Sequence, residues 1–196
     1  MNFTDYSLDL TLSVFLIVGA YQFYFWCQRH RLIPARELRI PLDDRIPYRP
    51  NWVWVYSFLY YPAILYLNWA VQSPGQFTRI AGSFILLLGL QMLFFIAFPV
   101  ATPESWRQFN ARETLAERFL AYVQRLDAPS NCFPSMHVSV ATLTALYLYP
   151  QLGAWTLLFP VLIAASAVFT KQHYLADLPA GAALGWVTFK IFARMA

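Results

Sequence analysis

Apolar residues fall in long blocks along this chain, separated by short polar islands and two longer polar stretches. A helix needs about 20 apolar residues to cross a bilayer, and six segments reach or approach that length: 10–27, 52–71, 80–98, 135–149, 153–170 and 177–193. Tyrosines and tryptophans gather near their ends, as they do at a membrane interface. The pattern predicts an all-α fold, a polytopic membrane bundle of six transmembrane helices, as a single domain over residues 1–196.

The two long polar stretches differ. Residues 28–51 hold six arginines and four prolines, which predicts an irregular polar loop. Residues 100–133 hold four arginines and four acids. Within them, Thr114-Leu115-Ala116-Glu117 has the form of a capping box, a helix start. Leu115, Phe119, Tyr122 and Leu126 then recur at helical spacing. This predicts an amphipathic interfacial helix lying on the membrane surface or over the site; simple packing on the bundle is the alternative. In the last segment, Gly181 and Gly185 form a GxxxG pair that permits close helix approach. Packing inside the chain is its first reading, a homodimer contact its second.

Composition sharpens the class. The chain is 59% hydrophobic and only 12% charged, against about a quarter charged in soluble domains. Its net charge of +4 comes mostly from loop arginines. No soluble basic domain exists to carry nucleic-acid binding, so the expected partners are membrane lipids and a phosphorylated substrate. Cys27 and Cys132 form no CxxC pair and read as two unpaired thiols. Residues 1–9 carry Asp5 and Asp9 but no lysine or arginine, unlike the start of a signal peptide, so the first apolar segment is expected to remain as a span. With six spans both termini share one face. The opposite face then carries eleven of the Lys/Arg residues and the terminal face three, which leans that loop face toward the cytoplasm. The expected location is an integral membrane protein, in the inner membrane if the cell is bacterial.

Two islands carry the candidate chemistry: Pro134-Ser135-Met136-His137 and Lys171-Gln172-His173-Tyr174-Leu175-Ala176-Asp177. Ionisable groups at span ends are expensive and are kept mainly for function. The six-span topology brings His137, at the start of one helix, beside His173, at the end of the previous hairpin arm. His173 and Asp177 are four apart, so a carboxylate can fix the imidazole tautomer and leave one nitrogen as a nucleophile. His137 can act as acid and base. Ser135, Lys171 and Arg107 can hold phosphate oxygens. His30 lies among arginines and reads as solvated. A metal site of His137, His173 and Asp177 is the chemical rival; the adjacent Lys171 favours phosphate, so no metal or organic cofactor is expected.

Pro134-Ser135-Met136-His137 resembles the PSGH motif of the type 2 phosphatidic acid phosphatase (PAP2) superfamily. His173-x-x-x-Asp177, followed by Ala180-Gly181, resembles its third motif, SR-x5-H-x3-D; the resemblance covers residues 98–185. It implies His173 as nucleophile, His137 as acid/base and Asp177 as the residue that orients the nucleophile. The chain departs from the pattern in three places. The third motif's arginine falls at Ala167, the glycine of PSGH is Met136, and the first motif, K-x6-RP, is absent, with Phe98-Pro99-Val100 and Arg107 near its place. Thr170-Lys171-Gln172-His173-Tyr174 and Asn131-Cys132-Phe133-Pro134-Ser135 are similar to segments of inositol phosphorylceramide synthases. The implied activity is phosphate-ester hydrolysis on a lipid through a phosphohistidine. A phosphotransferase with an alcohol acceptor and a catalytically silent lipid-binding or transport protein are the alternatives.

Overall fold

A computed structural model describes residues 3–109 and 111–194. Ten α-helices follow one another among them: α1 Phe3–Arg29, α2 Pro41–Arg45, α3 Val53–Phe58, α4 Tyr60–Ala70, α5 Pro74–Ala97, α6 Glu104–Arg107, α7 Leu115–Leu126, α8 Met136–Leu152, α9 Leu158–Phe169 and α10 Asp177–Ala193. Among the described residues the one extended pairing is an isolated bridge between Arg36 and Val100.

Among the described residues three stretches are long and apolar enough to cross a membrane: α1, α5 and the run Met136–Phe169 that contains α8 and α9. The chain is therefore an integral membrane protein. Of the six expected spans, 10–27 and 80–98 fall in α1 and α5, and 135–149 and 153–170 in the two arms of the Met136–Phe169 run. Those arms fold back at Gly153, whose φ of 61° lies in the left-handed region that favours glycine. Val138 and Ala141 on α8 then pack with Ile163 on α9. The segments 52–71 and 177–193 are helical but shorter than a full crossing, so helix length alone does not carry a count of six. The first of them breaks at Leu59 between α3 and α4. Pro62 explains the break: it offers no N–H to Phe58, and its ring crowds that carbonyl.

The GxxxG pair packs inside the chain. A Cβ on Gly181 would lie 2.4 Å from the Ser135 carbonyl oxygen, and one on Gly185 would lie 2.5 Å from that of Ser139. Only glycines let α10 press against the start of α8, which is where His137 sits. The capping box on α7 forms as expected, with Glu117 N–H donating to Thr114 Oγ1 (3.2 Å) and Thr114 N–H to Glu117 Oε2 (3.0 Å). Ala116 and Leu120 of α7 pack on Val53, whereas Leu115, Tyr122 and Leu126 stay exposed. The helix thus packs on the bundle with one face and presents an apolar stripe with another.

Segment 28–51 is more ordered than its composition suggests. Arg36 N–H donates to Pro99 O (3.1 Å), Ala101 N–H returns to Arg36 O (3.0 Å), and Arg49 N–H donates to Phe169 O (2.8 Å). The segment belts the ends of α5 and α9.

Candidate active site

The turn that carries His173 is set by how α9 ends. Gln172 N–H donates to Ala167 O (2.9 Å) and Lys171 N–H to Val168 O (3.2 Å), the paired bonds of a Schellman stop. Lys171 takes the left-handed position with φ 59°. A side chain there holds strain of about 1–3 kcal/mol, which the surroundings must offset. They do so through the lysine itself: its Nζ donates to Asp43 O (2.8 Å) and lies 5.0 Å over the Trp106 ring. Asp43, buried on α2, accepts Leu175 N–H at Oδ1 (2.8 Å) and Ile40 N–H at Oδ2 (2.8 Å). Tyr174 is buried against Trp106, with its hydroxyl donating to Ala101 O (2.8 Å). Burial draws the Lys171 ammonium below its ordinary pKa, against the pull of Asp44 and Asp43.

His173 Nδ1 lies 3.1 Å from Asp177 Oδ2, and the same oxygen accepts Tyr174 N–H at 2.9 Å. Assigned from that contact, the proton sits on Nδ1 and leaves Nε2 with a free lone pair. Both residues are buried.

The second island is fastened to the first through the backbone. Ser135 N–H donates to Asp177 O (3.1 Å), while Ser135 Oγ caps α8 by accepting Val138 N–H (3.4 Å). Gln91 on α5 donates to Pro134 O (3.2 Å). The His137 and His173 rings come to 5.9 Å between centroids, at 69°. The Tyr56 hydroxyl meets His137 Nδ1 at 3.2 Å, its ring stacked at 4.2 Å, and the Tyr60 hydroxyl donates to the His137 carbonyl.

Two cavities meet at this pair. One is polar and small, about 10 Å³, with His173, Arg107, Asp127 and Asn131 among its walls. Arg107 is fixed there by donating to the carbonyls of Gln124 and Asp127. Asp127 accepts from the Tyr24 hydroxyl (3.0 Å) and from Gln28 Nε2. Burial raises its carboxyl above the usual carboxylate range, opposed by those two bonds and by Arg107. The other cavity is apolar, about 450 Å³, and reaches His137. Tyr24, Tyr56 and Asp127 wall both.

The structure therefore brings His137, His173 and Asp177 together, with Arg107 on the wall of the polar cavity. Ser135 and Lys171 each lie two residues before a histidine; the Ser135 hydroxyl accepts Val138 N–H as a helix cap, and the Lys171 amine donates to Asp43 O. Sequence reasoning missed Asp43, Tyr56, Tyr60 and Asp127. The only local signal was an acid inside an arginine-rich stretch, and it does not point to a partner. Cys27 and Cys132 are both free and buried. Among the described residues, Cys132 joins His173 and Asp177 in a group whose ligand atoms lie within 4.8 Å of one another and could hold a metal ion.

A family model described as the PAP2 superfamily matches residues 47–191. No curated protein and no solved structure matches the chain.

Proposed function

The chain belongs to the PAP2 superfamily, and we propose that it is a lipid phosphate phosphatase whose chemistry is carried by His173, His137 and Asp177. The observation that carries this reading is the division of the two histidines between two cavities. His173 faces the polar cavity with Arg107, and His137 faces the apolar one. A lipid phosphate divides in the same way, anion on one side and hydrocarbon on the other.

His173 Nε2 attacks phosphorus, and the bond from phosphorus to the lipid oxygen breaks. His137, protonated on both ring nitrogens, gives its Nε2 proton to that oxygen and becomes neutral, and the lipid alcohol leaves. Water then attacks the phosphohistidine, His137 takes the water's proton, and inorganic phosphate departs from His173. Asp177 holds the Nδ1–H tautomer throughout and stabilises the imidazolium as charge develops. Arg107 supplies planar donors for phosphate oxygens. We place Ser135 and Lys171 behind this site as groups that set the backbone of each island.

The transferase reading rests on the segments 131–135 and 170–174 and uses the same residues. The deciding experiment presents a panel of lipid phosphates to purified protein in EDTA, with and without polyol or lipid alcohols, beside His173→Ala. Phosphate release that disappears in the variant supports the phosphatase. A new phosphorylated lipid that needs the acceptor makes it a transferase, and loss of turnover on adding EDTA moves the chemistry to a metal.

A further inference from the structure

We infer that the apolar cavity is a slot for one aliphatic chain of the substrate, and that its far end at Ser13 and Asn68 sets the chain length accepted. The inference rests on the reading of His137 and His173 as a phosphoryl-transfer pair, because that reading fixes where the head of the ligand lies.

Three observations carry it. The first is where the cavity lies. It starts at His137 and Tyr56 and runs between α1, α4 and α5 toward Ser13 and Asn68. Ser13 to Tyr24 spans about 16 Å of helix at 1.5 Å per residue. That is about half the ~30 Å hydrocarbon thickness of a bilayer, the depth of one leaflet. A chain anchored by its phosphate at His173 and lying along α1 therefore reaches the far end without leaving its own leaflet.

The second is what closes that end. Leu67, Val71, Phe77 and Ile80 line the cavity there and belong to one packed cluster. The polar pair beside them satisfies itself: Ser13 Oγ donates to Asn68 Oδ1 (2.8 Å), and Asn68 Nδ2 donates to Ile64 O (3.0 Å). The floor is thus packed and has no polar group seeking a ligand, which is the chemistry of a stop for a methyl terminus.

The third is α1. Ser13, Leu16, Ile17, Ala20 and Tyr24 recur at helical spacing along the cavity wall. Yet the buried residues of this long helix are Asp9 and Cys27, near its two ends. Between those two, the recurring residues form the cavity's α1 wall, facing Asn68 of α4 and Leu87 of α5. A water-filled apolar space of about 450 Å³ inside a bilayer is costly, and a hydrocarbon chain fills it with the same chemistry as its walls. α1 lies outside the residues that the family model matches.

The test uses the full chain in nanodiscs and a series of n-alkyl phosphates of increasing length. In the wild type, kcat/KM is expected to rise about fourfold per added methylene until the slot is full, and then to level off. Ala20→Trp places a large ring halfway along the wall. It is expected to move the levelling point to chains several carbons shorter, while turnover of a short water-soluble phosphate ester stays unchanged. Ala20→Leu, a milder filling, should give a smaller shift in the same direction and stands in if the tryptophan variant does not fold. Calorimetric binding of non-hydrolysable alkyl phosphonates to His173→Ala protein repeats the series without chemistry. A length break in binding with no turnover in the wild type would keep the slot and overturn the phosphatase reading. A length dependence that is flat, or identical in wild type and both Ala20 variants, overturns the slot.

Discussion

The Tyr56 hydroxyl lies 3.2 Å from His137 Nδ1 while the two rings stack at 4.2 Å. One side chain thus fixes the plane of the proposed acid and gives its Nδ1 a partner. An imidazolium with Nδ1–H on the Tyr56 oxygen holds its second proton on Nε2, the nitrogen that must give it up to a leaving alcohol. Asp177 holds His173 through Nδ1 as well, so in both rings Nε2 is the nitrogen left for chemistry.

Tyr56→Phe keeps the stacked ring and removes only the hydroxyl. Losing the orienting bond should lower kcat by about tenfold, part of the 10²–10⁴ that a positioned proton donor contributes. KM and the melting temperature should stay close to the wild type. Steady-state kinetics with a thermal melt separate these outcomes; a fall in stability with kcat intact would make Tyr56 a packing residue only.

His173→Ala should abolish phosphate release. Asp177→Asn should leave the fold in place and reduce kcat by as much as about 10⁴-fold, because an amide can hold the wrong tautomer of the nucleophile. Rapid-quench trapping of acid-labile, base-stable phosphoprotein should show the intermediate in the wild type and none in His173→Ala. Equal trapping in both would remove His173 from the nucleophile's role.

Much of this site was legible in the sequence because its core is local or follows from topology. The His173–Asp177 spacing needs only one turn. The meeting of His137 with His173 needs only a hairpin of two apolar arms. The Thr114–Glu117 cap and the packing of Gly181 and Gly185 are patterns of a few residues. What the sequence did not reveal is joined across the chain: Tyr24 to Asp127 and Asp43 to Leu175 are separated by more than half its length. The arginine-rich composition of 28–51 argued for a solvated loop. It gave no sign that a buried acid there holds the turn of His173. Nor did the sequence reveal the long-range partner of Lys171: its place two residues before His173 suggested a phosphate contact, and in the fold its amine donates to Asp43 O.

Asp127 gives a pH signature. Its carboxyl is raised by burial in the folded chain, so folding favours the protonated form. The unfolded carboxyl ionises near 3.8. Below that value both states are protonated and the contribution to stability is fully present; it is lost as pH rises through the raised folded value. The melting temperature of the wild type should therefore carry a component that declines across this window. Asp127→Asn, isosteric and non-titrating, should remove that component. Melts of the two proteins across the acid range, compared as a difference, test this; parallel curves would mean the carboxyl titrates as it does in the unfolded chain.

Asp43 is the link between the belt 28–51 and the turn of His173, and its effect should be on both stability and turnover. Its two carboxylate oxygens accept Leu175 N–H and Ile40 N–H, and its carbonyl takes Lys171 Nζ. Bonds to a charged acceptor contribute about 1.5–3 kcal/mol each, and a buried N–H left without one costs a similar amount. Asp43→Ala should thus destabilise the chain by about 3 kcal/mol and loosen the turn, so that kcat falls although no reacting atom has changed. Asp43→Asn keeps an acceptor oxygen and should recover most of the stability. If the Lys171 tie matters through the Asp43 backbone carbonyl, Lys171→Met should lower stability in Asp43→Asn protein too. Thermal melts of the three variants, with the phosphate-release assay alongside, read all of this. Full activity in a stable Asp43→Ala protein would show that the His173 turn holds its geometry without the belt.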